Sequence, residues 1–136
     1  IKEYNMREFK FKFWNKKNSQ FLQNTDNGVD QTIFDLWDWA GVMGTCTLFP
    51  MDDYVFLQYT GLTDKNKNLI YEGDIVKFSR LFEKERKIKE LKSFVRFHNG
   101  QFGFDLIGFN DMFFTLSDEC GIEVIGNIFE HPELLK

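Results

Sequence analysis

The sequence predicts a mainly β fold of twisted antiparallel strands in a curled or barrel-like sheet, with little helix. Three observations carry this expectation. Phenylalanine accounts for 17 residues, against 3 tryptophans and 4 tyrosines, and such flat, bulky side chains suit pleated surfaces and bury large areas. Short apolar runs are separated by polar turns. Asn99-Gly100 suits the two positive-φ positions of a type I′ hairpin turn.

The first element follows from alternation. In Arg7–Trp14, Phe9, Phe11 and Phe13 fall on one side and Lys10 and Lys12 on the other, the period of a half-buried strand. Asn15–Asn18 supplies turn residues, after which Phe21-Leu22 can return antiparallel. Residues 23–32 are polar and read as a loop around Asn27-Gly28, whereas Ile33–Trp39 has no clear period and stops at Gly41 and Gly44.

Val55–Tyr59 is strand-like and is expected to end at Gly61. Thr63–Asn68 reads as a turn, Leu69–Tyr71 as a short strand, Glu72-Gly73-Asp74 as a second turn and Ile75–Phe78 as another strand. Residues 79–93 admit two readings. Leu81, Ile88 and Leu91 lie at heptad-like spacing among Lys and Glu, which favours a short helix. The other reading, which is preferred, is two strands joined by an exposed charged excursion that is helical in part. Beyond it, Phe94–Phe97 and Phe102–Leu106 should pair across the Asn99-Gly100 turn, followed by strands at Met112–Leu116 and Ile122–Phe129. Pro132 permits a short helix at 131–136.

Length and composition bound the class. The 136 residues are 43% hydrophobic and 28% charged, enough for one packed domain. No run of about 18 uncharged apolar residues offers a helical membrane span. Cys46 and Cys120 are too few for a disulfide scaffold, and no secretory signal is evident. A reducing, cytoplasmic setting is the expectation. Charge is unevenly spread. Residues 1–17 hold six basic and two acidic groups, and residues 77–92 hold seven and three, so the rest of this −4 chain is strongly acidic. That asymmetry suits an anionic partner at one end, or head-to-tail packing of copies.

Chemistry-bearing patterns are sparse. His98 and His131 are far apart and neither cysteine sits in a C-x-x-C pair, so no metal site is expected. There is no nucleophile elbow, Walker loop or dinucleotide fingerprint; no catalytic residue and no cofactor are assigned. The rival enzyme reading is an unrecognised carboxylate pair that meets only in the fold. Asp74, just before an apolar strand, is expected to accept turn hydrogen bonds, with Gly61, Gly73, Asn99, Gly100 and Gly126 as further structural turn positions. Lys77, Arg80, Lys84, Arg86, Lys87, Lys89 and Lys92 are candidates for tracking a nucleic-acid backbone, although Glu83, Glu85 and Glu90 interrupt them. Trp14, Trp37, Trp39 and Phe109 are candidate contacts with a partner.

One stretch, Gln58-Tyr59-Thr60-Gly61-Leu62-Thr63-Asp64-Lys65-Asn66-Lys67-Asn68-Leu69-Ile70-Tyr71-Glu72-Gly73-Asp74-Ile75-Val76, resembles the YopX family of phage and prophage proteins, as do the segments Met6–Asn15 and Glu123–Leu135. The resemblance implies a mostly β fold and an origin in a phage or integrated element expressed inside a bacterium. It implies no activity. It makes Met6 the natural start, Ile1–Asn5 an extension or tag remnant, and 6–136 a single domain. Lys67 stands where the family usually has Gly, so either the turn changes type or Asn66 or Asn68 becomes left-handed. His131 replaces the usual Asn before Pro132 and loses a good cap. Residues 79–121 match poorly.

The functional expectation is a non-enzymatic binding or assembly module in the host cytoplasm. It would act through sheet edges and exposed aromatics on copies of itself or on a host or phage protein, without a membrane. Nucleic-acid binding through 77–92 is the alternative.

Overall fold

The computed structural model describes residues 8–21, 53–78, 91–106, 112–117 and 121–136. Ten strands and one 3₁₀ turn occur among them, and every strand pair is antiparallel. The fold is mainly β, as the phenylalanine content and turn spacing predict. The chain divides into two compact units, residues 1–58 and 59–136.

In the first unit, β1 (Phe11–Asn15) lies between β2 (Gln20–Phe21) and the opening half of β3 (Tyr54–Thr63). Phe13 and Trp14 are both buried. Phe13 meets Phe56 edge-on and Trp14 meets Phe21 likewise, with centroids at 5.0 and 4.9 Å. The expected alternation therefore starts too early. Phe9 precedes the strand and is 64% exposed. The β1–β2 turn is closed by Asn15, whose side-chain oxygen accepts the amide of Lys17 at 2.9 Å, a local bond typical of Asn in turns.

The second unit holds the larger core. β5 (Asp74–Phe78) is central, paired with β10 (Ile122–Asn127) on one side and β6 (Leu91–Phe94) on the other. β8 (Gln101–Leu106) is likewise flanked by β7 (Arg96–His98) and β9 (Met112–Thr115). Ile70, Val76, Phe78, Val95, Phe104, Leu106, Leu116 and Ile122 form one buried cluster. Within it the rings of Phe78 and Phe104 stack at 4.5 Å, burying the area that offsets chain ordering. Leu91–Phe94 is strand paired with β5, in line with the two-strand reading and against helix over 91–93; residues 79–90 lie outside the described residues. Asn99 and Gly100 both have positive φ, 50° and 78°, as a type I′ turn requires.

Two expectations at glycine positions are corrected. Gly61 does not end β3. With φ of 87° it sits where the β3–β4 register shifts, between Tyr59↔Tyr71 and Thr63↔Leu69, β4 being Leu69–Tyr71. There Thr60 donates its hydroxyl proton to the Ile70 carbonyl at 2.8 Å and its oxygen accepts the Leu62 amide at 3.2 Å. In the turn before β4, Lys67 itself takes the left-handed conformation, at φ 64°, instead of passing it to Asn66 or Asn68. Asp64 takes both neighbouring amides, as described below, and the Lys67 amide donates to the Asp64 carbonyl at 3.0 Å.

Gly103 was not foreseen. A Cβ there would collide with the Phe114 carbonyl oxygen and the Phe113 ring, so the ring of a β9 residue fills the space over a β8 glycine. The C-terminal 3₁₀ turn, Pro132–Leu135, begins at His131, which makes no side-chain capping bond.

Replacing Lys67 with Gly should raise stability by about 1 kcal/mol, because a left-handed lysine costs about 1–2 kcal/mol and glycine returns part of that gain as entropy. Urea unfolding of the two proteins checks this through a midpoint shift at unchanged slope. Gly103→Ala should lower stability by about 1–3 kcal/mol through overpacking, read in the same assay.

Candidate functional site

The polar groups of the second unit fall into three arrangements, the first of which is spent on holding the backbone. Asp64 is buried, at 6% exposure. One carboxylate oxygen accepts the amides of Asn66 and Asn68, each at 2.8 Å. The other accepts the Asn68 side-chain amide at 3.2 Å and the Val124 amide of β10 at 3.0 Å. Burial pushes the Asp64 carboxyl up, and the hydrogen bonds from Val124, Asn68 and Asn66 outweigh it, leaving it below the usual carboxylate range. Its Asp-x-Asn-x-Asn spacing, 64, 66 and 68, is also that of calcium loops. Here the oxygens face N–H hydrogens, which suit an anion and repel a cation.

Asp74 behaves alike. Buried at 4% exposure, it accepts the Tyr71 amide at 2.8 Å, while its carbonyl accepts the Val95 amide at 2.9 Å. Gly73, at φ 79°, donates its amide to the Val95 carbonyl and accepts the Ile128 amide. Gly126 sits at the register shift of β10 against β5.

The second arrangement lies on the face of β7–β8–β9 opposite the core. Arg96 grips Asp105 through two bonds, Nε at 2.5 Å and an Nη at 2.8 Å. Its guanidinium also lies 5.1 Å from the centroid of the Phe113 ring, and His98 meets that ring edge-on at 5.3 Å. Arg96 holds the Asp105 carboxyl below its ordinary value. Bidentate geometry fixes both side chains.

The third arrangement is a row of charges. Lys92 of β6 and Lys77 of β5 are register partners, and Lys77 is in turn the partner of Glu123 in β10. Glu123 also bonds Lys65 at 2.6 Å, closer than its 3.4 Å contact with Lys77. The Lys65 ammonium, then Lys77, holds the Glu123 carboxyl below its usual range. Lys92 is exposed. Lys77 and Lys92 are thus the two members of the predicted basic set whose surroundings are described; Arg80, Lys84, Arg86, Lys87 and Lys89 lie outside the described residues.

Of the candidate contact residues, Trp14 is buried at 8% exposure, and Trp37, Trp39 and Phe109 lie outside the described residues, as do Cys46, Cys120 and the extension at 1–5. Phe9, Phe56, Phe97 and Met112 are instead the large apolar side chains left open among the described residues, at 64%, 38%, 52% and 56%. Sequence reasoning passed over Asp64, Lys65, Arg96, Asp105 and Glu123. An Asp followed two and four residues later by Asn was a usable turn signal for the first. The Asn99-Gly100 turn fixes the register that sets Arg96 beside Gly103 and therefore diagonal to Asp105.

The strand edges differ in kind. β10 is closed beyond β5 by the turn, since the Lys65 amide donates to the Ile122 carbonyl at 3.0 Å and Asp64 takes the Val124 amide. β9 pairs with β8 alone among the described residues. The Leu116 amide donates to Phe102 at 3.0 Å, so by antiparallel alternation the amides of Phe113 and Thr115 point away from β8. β9 reads Met-Phe-Phe-Thr and carries none of the charges or prolines that usually protect an edge.

Among the described residues, no three His, Cys, Asp or Glu side chains are grouped to hold a metal ion, and no helix is long and apolar enough to cross a membrane. The arrangement defines a small antiparallel β protein whose motif carboxylates are committed to its own backbone. Its family follows from the match of residues 10–136 to the family model described as YopX protein: the chain belongs to the YopX family. It is also similar to the crystal structure of protein EF1440 from Enterococcus faecalis, at 25% identity and a TM-score of 0.58, covering 96% of this chain and all of that one. No curated protein matches the chain.

Asp64→Asn should cost about 2–3 kcal/mol, because an amide nitrogen replaces an acceptor of charge-assisted bonds. The wild-type contribution is complete above about pH 4, the unfolded value, and is lost as pH falls through the lower folded-state value. Acid titration of the unfolding free energy should accordingly show a shallower acid limb in the variant.

Proposed function

We propose that the protein is a non-enzymatic binding and assembly module, the product of a phage or integrated element, working in the cytoplasm of a bacterial host. The observation that carries this reading is the β9 edge, with outward amides at Phe113 and Thr115 and no gatekeeping charge, beside a β10 edge that the same chain closes. A sheet edge of this kind recruits another strand through backbone bonds. The partner it fits is β9 of a second copy. A two-fold axis at Phe114 sets Phe113 opposite Thr115 of the other copy, and both residues then exchange paired hydrogen bonds. Two sheets of three strands become one of six. The commitment of Asp64, Asp74 and Asp105 to amides and to Arg96 further supports a binding role over carboxylate catalysis.

Light scattering at micromolar concentration should give a mass that is a multiple of 16.2 kDa. Thr115→Pro deletes an outward amide without touching the β8 ladder and should give the monomer with unchanged circular dichroism. A wild-type monomer at every salt concentration overturns the reading.

A further inference from the structure

Asn99 and Gly100 are both exposed at the tip of the β7–β8 hairpin, and a Cβ placed on Gly100 would meet nothing within 4 Å. An asparagine followed by glycine can react with its own chain, because glycine has no Cβ to crowd the attack of its nitrogen. The hairpin opposes this reaction. Asn99 is left-handed, at φ 50°, and that conformation brings Cβ beside the residue's own carbonyl oxygen. The Gly100 nitrogen lies on the other side of the same carbonyl carbon, so it is held away from the Asn99 side chain while the turn is closed. Two ties keep it closed. Phe97 and Phe102, register partners, meet edge-on at 5.0 Å on one face. On the other face Arg96 grips Asp105 from β7 to β8, at 2.5 and 2.8 Å.

We propose that Asn99 is a self-modification site whose reaction is gated by opening of the β7–β8 hairpin, with the Arg96–Asp105 pair as the latch. On opening, rotation about the Asn99 Cα–C bond brings the Gly100 amide nitrogen to the Asn99 Cγ. The nitrogen gives its proton to solvent and bonds to Cγ. The Cγ–Nδ2 bond breaks, and the side-chain nitrogen leaves as ammonia with a proton taken back from solvent. Water then opens the five-membered imide at one of its two carbonyl carbons. Release at Cγ leaves an aspartate; release at the main-chain carbonyl carbon leaves an isoaspartate, whose chain runs through Cγ. No oxidant or cofactor is consumed. The two products differ in consequence. Aspartate tolerates a left-handed position much as asparagine does, so the turn recloses. Isoaspartate adds a methylene to the main chain of a two-residue turn, and turn length sets hairpin register. Arg96 then no longer returns opposite Gly103, and the latch cannot reform. This assignment is independent of pairing at β9.

The test is peptide mapping by mass spectrometry of the full chain held at mildly alkaline pH, in buffer and in concentrated urea, following conversion of the Asn99 amide to acid. Asn27-Gly28, the other such pair in the sequence, is the reference clock in urea. Conversion at Asn99 should be about tenfold or more slower in buffer than in urea, because the open hairpin is a minor state of the folded chain. Arg96→Lys, which keeps the charge and loses the bidentate grip, and Asp105→Asn should each speed conversion severalfold in buffer and leave the urea rate unchanged. Asp64→Asn is the control, since it weakens the fold outside this hairpin and should leave the rate in buffer unchanged. Chains carrying isoaspartate, once separated, should unfold at lower urea than Asn99→Asp, although both have gained the same charge. Circular dichroism verifies that each variant is folded, and the wild-type comparison decides if a latch variant is not. Conversion as fast in buffer as in urea, latch variants that convert at the wild-type rate, or equal acceleration by Asp64→Asn overturns the proposal.

Discussion

Asp64 connects what the chain places far apart. Its carboxylate closes the turn before β4 and, across 60 residues of sequence, takes the amide of Val124 in β10. Both oxygens are needed, because one organises the turn and the other joins it to the sheet. Hydrogen bonds to a charged acceptor are worth about 1.5–3 kcal/mol each, a large share of the 5–15 kcal/mol that separates a typical folded domain from its unfolded chain. The left-handed Lys67 is tolerated on that account. The closed edge of β10 follows from the same contact, since Lys65, carried by that turn, reaches the Ile122 carbonyl.

The aromatic residues divide by face. Phe78 and Phe104 stack within the core, where their contribution is area removed from water. Phe113 projects to the opposite side, laid over Gly103 and flanked by Arg96 and His98. It organises a polar surface and leaves the core to others. Beside it, β9 presents the outward amides of Phe113 and Thr115, and Glu123 bridges Lys65 and Lys77 across β10 and β5.

Much of the strand content was legible because turn chemistry is local. Asn99-Gly100 fixed a hairpin and, through it, the register of Arg96 with Gly103. Leu69–Phe78 was readable from its polar punctuation. What escaped has a common physical character. Gly61 looks like a terminator because glycine weakens strands, yet its positive φ serves a register shift inside a long one. Lys67 looks unfit for a left-handed position, yet it takes one between two amides held by Asp64. Phe9 continues the alternation of β1 on paper and precedes the strand in space, since β1 begins at Phe11. The candidate surfaces were less legible still. Lys77 and Lys92 were identifiable by charge, but their pairing with each other and with Glu123 depends on the register of three strands. The character of the β9 edge among the described residues depends on which amides point outward, which composition does not reveal.

Gly73 binds to Val95 on one side and Ile128 on the other through its backbone alone, and a Cβ there would lie 3.1 Å from the Phe129 ring. The Tyr71–Asp74 signature is thus a joint in the frame, indifferent to whatever the outer surface touches. Two proteins can share that joint and differ at every outward-facing side chain. Kinship read from it is inheritance of architecture, and the choice of companion is free to change independently.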